Sequence, residues 1–386
     1  MRAAVRALIV VWLAALVVVA LMPYWNAAAI ILRAAGTGGT LGTISRWEAR
    51  SVSDSIGRIP VRAGSIRARL FRPTGTVRRA ALLVSGVHPD GINEPRLAAL
   101  ARDLAGTGIT VVSPEIPDLM AFRLTAGVTN TIEDAALWMT KRPDLFSPSA
   151  VAIIGVSFSG GLAIVAAGRP TLRGRVAYVM SVGGHGNLPR VLRYLCTGVE
   201  PSPSGGDGRR RPPHDYALAV VLHQAADLVV PAEQVDTLRG GIEEFLAASA
   251  LARTESTPAG ARFEAARAMQ ARMPEPAATF MKLVNDRDVA GLGLRLLPYL
   301  DRLGQDPSLS PDRSTPPTAP VYLLHGADDN IIPAVETELL ARALDGKTKV
   351  RYLLSGFLTH VDVSARPTVA ETWRMIAFWK AALGER

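Results

Sequence analysis

A serine at 157, neighbouring aspartates at 328 and 329, and a histidine at 360 stand in an order that can do nucleophilic chemistry. A serine hydroxyl is a poor nucleophile unless a base takes its proton and a third group orients that base. Ser157 lies in Gly155-Val156-Ser157-Phe158-Ser159-Gly160-Gly161. An apolar, β-branched run precedes it (Val151, Ile153, Ile154), and a helix-forming run from Leu162 to Ala167 follows, stopped by Gly168 and Pro170. A strand that doubles back into a helix puts the serine at the apex of a sharp turn. Such a turn needs small residues two before and two after the serine, and Gly155 and Ser159 meet that need. Ser159 stands where glycine is usual, and it could be the nucleophile only in a shifted register. A glycine-rich turn without chemistry would read the same from this stretch alone.

The acid and the base should each follow a strand, in the order serine, acid, histidine. Val321 to Pro333 (VYLLHGADDNIIP) gives a strand, a glycine and two aspartates. Lys349 to His360 (KVRYLLSGFLTH) gives a strand, a loop and the histidine. The elements that must position these groups repeat in one rhythm. Near-continuous apolar strands at Ala80–Val87, Ile109–Ser113 and Val176–Val182 alternate with helices at Glu94–Ala105 and Thr129–Thr140. That rhythm predicts a parallel sheet covered on both faces. Arg58 to Pro73 reads as an antiparallel hairpin with one wet face. Leu188 to about Thr318 breaks the rhythm, being helical and irregular with a Pro/Gly/Ser-rich loop around Arg209–Arg211. The rhythm then resumes at Val321, and closes with helices at Val335–Ala343 and Val369–Leu383.

With these motifs in this order, the chain resembles the α/β-hydrolases over residues 60 to 187 and 318 to 386. The resemblance implies a mostly parallel central sheet flanked by helices. It implies Asp329 as the acid, because Gly326-Ala327-Asp328-Asp329-Asn330-Ile331-Ile332-Pro333 fits the pattern G-x-x-D-x-x-V-P with Asp329 in register. It implies His360 as the base. The oxyanion hole would use the N–H of Phe158, directly after the serine, and that of Val87 in Ser85-Gly86-Val87-His88-Pro89-Asp90-Gly91, where serine replaces the His-Gly opening common in the family. A dienelactone-hydrolase-like core is similar, but that group uses cysteine where this chain has Ser157. The implied reaction is cleavage of a carboxylic ester through an acyl-enzyme. Amide or peptide cleavage and acyl transfer use the same groups. A non-catalytic binding protein on the same fold is the rival of a different class.

His88 and His185 are candidates for substrate contact, each with a plain loop role as the alternative; His325 reads as packing. His214 and His223 lack metal-ligand spacing, so no metal is assigned. No phosphate or dinucleotide loop is present, so no cofactor is assigned. An insertion leaving the core between nucleophile and acid should roof the carboxyl ends of the strands. Its apolar underside would form an acyl pocket, expected to favour chains longer than acetyl.

The chain has 386 residues, 48% of them hydrophobic, enough for a large core; its formal charge of +9 comes from 43 basic and 34 acidic residues. The arginines are scattered rather than interleaved with aromatics, which speaks against nucleic acid and leaves an anionic membrane surface as the milder reading. With Cys196 alone, no internal disulfide is possible. Arg2 and Arg6 precede an apolar run from Ala7 to Met22. This predicts an N-terminal hydrophobic helix that anchors an extracytoplasmic catalytic domain. The alternatives are secretion after cleavage at Ala27-Ala28-Ala29 and a buried core helix. The expected organisation is an anchor or signal segment over 1–35, the first part of the core over 36–187, a helical cap over 188–317, and the second part of the core over 318–386. Expected partners are a small-molecule or lipid-like acyl substrate and, through the N-terminal helix, the membrane.

Overall fold

The structure, a computed structural model, describes residues 12, 21–33, 43–45, 49–75, 77, 79–143, 146, 150–252, 255–356, 358 and 368–385. Its centre is an eight-stranded sheet in the order β1-β2-β4-β3-β5-β6-β9-β10. β1 (Val52–Val61) and β2 (Gly64–Pro73) form the hairpin that the alternation around Arg58 to Pro73 predicts, extended by six residues at its start. β1 is antiparallel to β2, and β2 to β4 (Ile109–Pro114). From there the sheet is parallel through β3 (Arg79–Val84), β5 (Val151–Val156), β6 (Val176–Val182), β9 (Val321–Gly326) and β10 (Val350–Ser355). β7 (Val199–Glu200) and β8 (Arg209–Arg210) make a separate two-stranded ribbon.

The central strands are apolar at consecutive positions because both faces are covered, so successive residues feed opposite cores. Leu82, Ile153, Val179 and Leu323 pack on one side; Leu83, Ile154, Met180 and Leu324 pack on the other. The second face is covered by three helices: α1, of which residues 21–33 are described, α2 (Pro95–Gly106) and α12 (Val369–Gly384). The first is covered by α3 (Ala126–Thr140) and α4 (Phe158–Ala167). Val128, Ile132, Ala135 and Met139 of α3 recur at helical spacing and are buried in this core.

Among the described residues no helix is long and apolar enough to cross a membrane. Apart from Trp12, Leu21 and Met22, the apolar run expected to form the anchor lies outside the described residues. Residues 27–30 of the segment expected over 1–35 are packed on the core. Ala27, Ala29 and Ile30 are buried, so the A-x-A stretch considered as a cleavage site sits against α2 and α12 rather than in an exposed linker. Arg33 fixes its end with an ion pair to Asp103 (2.9 Å) and a hydrogen bond to the carbonyl of Ser45 (2.8 Å).

Residues 188–317 contain α5 (Leu188–Thr197), α6 (Asp215–Val229), α7 (Val235–Leu251), α8 (Ser256–Gln270), α9 (Ala277–Asn285) and α10 (Val289–Leu296). Their bonds to the core show where they sit. Tyr216 donates to the carbonyl of Val87 (3.3 Å), Gln224 bonds both backbone groups of Leu124, and the amide of His214 donates to Asn330 (2.9 Å). Val87, Leu124 and Asn330 lie in the segments that follow β3, β4 and β9. The insertion therefore lies over the carboxyl edge of the sheet. A buried cluster fixes its root. Glu336, in α11 (Val335–Leu344), accepts from the amides of Gly186 and Asn187 (3.0 Å each) and from the Arg190 guanidinium (2.5 Å), which also reaches Asp312 (3.2 Å).

Candidate active site

Ser157 sits between β5 and α4 with φ 57° and ψ −139°, a backbone conformation that costs a side-chain-bearing residue about 1–3 kcal/mol. Its neighbours hold it there. Its amide donates to the carbonyl of Val182 (2.8 Å), and its carbonyl accepts from Gly160 (2.8 Å). The small residues are required sterically: a Cβ on Gly155 would stand 2.2 Å from the carbonyl oxygen of Ser159. Ser159 is more than a small residue. Its buried hydroxyl donates to the carbonyl of Ser85 (2.5 Å) and ties the turn to the loop after β3. That loop passes close to the apex, since a Cβ on Gly86 would lie 3.2 Å from Cβ of Ser157. Val87 follows directly, so the two segments expected to supply the oxyanion N–H groups, Val87 and Phe158, flank the serine.

The choice between the aspartates is geometric. Asp328 has a side chain 79% exposed, beside Arg211. Asp329 is 1% exposed, and its Oδ1 accepts from the amides of Ile331 (2.8 Å) and Ile332 (3.0 Å). Two fixed N–H donors set the orientation of the carboxylate. Ser157 and Asp329 follow β5 and β9, which are separated by β6 alone. Two strand spacings put them roughly 10 Å apart along the carboxyl edge, a span that one imidazole and its hydrogen bonds can bridge. His360, expected as that imidazole, lies outside the described residues. The edge strand leading to it, β10, ends at Ser355 beside Gly326, and so delivers the following loop to this same edge.

His325 reads in the sequence as packing, but it also braces Asp329. It is buried four residues before Asp329. Its Nε2 is 2.9 Å from the carbonyl of Ile332 and 3.2 Å from Oδ2 of Asp329, and Nδ1 is 2.7 Å from the Thr337 hydroxyl. A carbonyl only accepts, so Nε2 carries a hydrogen. The spacing of His325 and Asp329 across Gly326 was the available signal.

His185, a candidate for substrate contact, is instead enclosed at 0% exposure. Nε2 donates to the carbonyl of Leu309 (2.7 Å), and the ring lies 5.5 Å from that of Phe158. Burial holds its pKa below the ordinary histidine value, and a Cβ on Gly161 would meet its ring at 2.6 Å. It props the first turn of α4 from behind. His88 is at the loop surface, its Nδ1 accepting from the amide of Asp90 (3.2 Å).

On the cap side of Phe158 is a cavity of about 20 Å³, lined by Leu124, Leu188, Leu192, Ala217, Val220, Val221, Gln224 and Leu303. Gln224 is its one polar lining residue, and both ends of its amide are spent on Leu124. Tyr216, whose hydroxyl bonds the loop after β3, is buried, and burial raises its pKa. Neither Tyr216 nor Gln224 stands out in the sequence, because the contacts that give them meaning span about a hundred residues or more.

No known sequence family and no curated protein matches the chain. Solved structures do. An esterase of Pyrobaculum calidifontis is 17% identical, with 93% of this chain and 90% of that one aligned and a TM-score of 0.45. A puromycin-hydrolyzing peptidase of Mycobacterium tuberculosis is 15% identical over 87% of this chain and 40% of that one (TM-score 0.40). An acylaminoacyl peptidase of Pyrococcus horikoshii is 12% identical over 89% and 43% (TM-score 0.44). The chain thus spans about two fifths of the length of the two peptidases. The strand order with its single reversed strand β2, the strained serine apex after β5 and the Asp329 loop after β9 together identify the α/β-hydrolase fold.

Proposed function

We propose that the protein is a serine hydrolase that cleaves carboxylic esters of short acyl groups. The observation that carries the reading is the strained Ser157 apex at the carboxyl edge that also holds the doubly hydrogen-bonded Asp329. Ser157 Oγ attacks the acyl carbonyl while His360 takes its proton. Asp329 orients the imidazole, and the N–H groups of Phe158 and Val87 receive the developing oxyanion. His360 then returns the proton to the leaving alcohol, and water, activated by the same imidazole, releases the acid. The cavity behind Phe158 sets the acyl preference. At about 20 Å³ it has room for little more than one water-sized group, so acetyl or propionyl fits where the sequence led to an expectation of longer chains.

A fluorophosphonate probe and a series of p-nitrophenyl esters test this reading. The native chain is expected to label and to turn over acetate faster than decanoate. Ser157→Ala is expected to lose both activities while melting cooperatively. Undiminished labelling of that variant would move the nucleophile elsewhere. The apolar run from Ala7 to Met22, preceded by Arg2 and Arg6, supports tethering of the catalytic domain to a membrane on its extracytoplasmic side. Recovery of the full chain in washed membranes is the corresponding check.

A further inference from the structure

We propose that the face shared by residues 21–24 of α1 and the amino end of α12 rests on a lipid bilayer, which holds the carboxyl edge of the sheet, and Ser157 with it, at the membrane surface. The proposal deepens the tether reading and rests on it. Four large apolar side chains are exposed on this face: Leu21, Met22, Val369 (88%) and Trp373 (58%). Tyr24 stacks flat on Trp373, with ring centroids 5.6 Å apart. Lys380 stands 4.5 Å from the Tyr24 ring, and Arg374 is exposed beside Trp373.

The two helices run the same way. The carboxyl end of α12 is at the amino edge of the sheet, where Glu385 pairs with Lys349 just before β10 (2.6 Å). The carboxyl end of α1 is there too, where Arg33 pairs with Asp103 near the end of the helix leading into β4. Leu21 stands about 4.5 Å beyond Tyr24 along its helix, and Val369 about 6 Å beyond Trp373 along the other. Both therefore lie toward the carboxyl edge, where the strands deliver Ser157 and Asp329.

The occupant follows from what the chain does next to this face. The apolar run from Ala7 ends at Met22, and Ala27 and Ile30 are already buried in the core. No linker separates the run from the docked helix, so the solvent that takes the run must begin at this face. Stacked Trp and Tyr with Lys and Arg alongside suit the headgroup layer of an anionic membrane. A second copy of the chain is the alternative occupant.

Site-directed labels decide the question in the full chain. A bimane is placed at Val369→Cys or, on the amino edge, at Arg173→Cys, where the side chain is exposed in the turn before β6. The native thiol does not compete, because Cys196 is buried and burial pushes its pKa up to about 12. The protein is bound to phosphatidylcholine–phosphatidylglycerol vesicles carrying nitroxide lipids. Several-fold stronger quenching at 369 than at 173 is expected. Equal, weak quenching in protein that floats with the vesicles would overturn the docking face and leave the tether standing. Failure to float would overturn both. A 369–369 disulfide formed in detergent, with weak quenching in vesicles, would assign the face to a second copy and overturn the proposal.

Discussion

The backbone of Ser157 is held in a conformation it would not choose, and the residues that hold it are the ones that place the chemistry. Ser159 bonds the turn to the loop after β3, and His185 backs the first turn of the helix. Asp329 is held in the same manner, by two amides and by His325. That asymmetry between neighbours makes a sharp prediction. Asp329→Asn keeps the size of the side chain but loses the carboxylate that we propose fixes the imidazole tautomer. It should lower kcat by about 10⁴, as loss of the orienting acid does in triads. Asp328→Asn touches an exposed group facing Arg211 and should leave kcat near its native value. Steady-state kinetics of the two variants settle the assignment, and the reverse outcome would move the acid one residue earlier.

At the scale of elements, the parallel strands were legible because burial on both faces leaves a near-continuous apolar signal, and Gly and Pro mark the turns around them. Ser157 and Asp329, the residues proposed as nucleophile and acid, could be picked out for a related reason: both fall directly after such strands. The insertion was legible only as a break in rhythm. Its helices bury against each other as well as against the core, so local pattern gives their existence and not their docking. What docks them is a few long-range bonds, Tyr216 to Val87 and Gln224 to Leu124. The size of the cavity under α6 could not be read either, since it depends on how closely that helix approaches Phe158. A prediction belongs to this element. Val221→Ala removes two methyl groups from the cavity wall and should admit one or two further acyl carbons. Each methylene newly buried is worth about 0.8 kcal/mol, about fourfold in kcat/KM. The optimum along the p-nitrophenyl ester series should move toward butyrate. An unchanged profile would place the acyl group outside this cavity.

At the scale of the whole molecule, charged side chains join segments that the sequence keeps far apart, and no local pattern announces them. The turn between β1 and β2, helix α3 and the segment after α4 meet at Glu133 and Asp134. Glu133 accepts from Arg62 (2.5 Å), from Arg169 (2.6 Å) and from the hydroxyl of Thr171, and Asp134 forks with Arg62 (2.8 Å). Burial alone would raise both carboxyl pKa values. The bonds from Thr171, Arg169 and Arg62 outweigh it at Glu133, and those from Arg62 outweigh it at Asp134, so both sit below the ordinary carboxylate range. A carboxyl group whose pKa is lowered by folding stabilises the folded state fully above its unfolded value. It loses that contribution as pH falls through the folded value. Folded stability should therefore drop on acidification below the ordinary values, 4.5 for Glu133 and 3.8 for Asp134. The double variant Glu133→Gln, Asp134→Asn has no such protons to take up. It should melt lower than the native chain at neutral pH and should show a smaller loss of Tm between neutral pH and about pH 3. Thermal melts across that range test the assignment. Parallel Tm curves for the two proteins would mean that acid sensitivity arises elsewhere in the molecule.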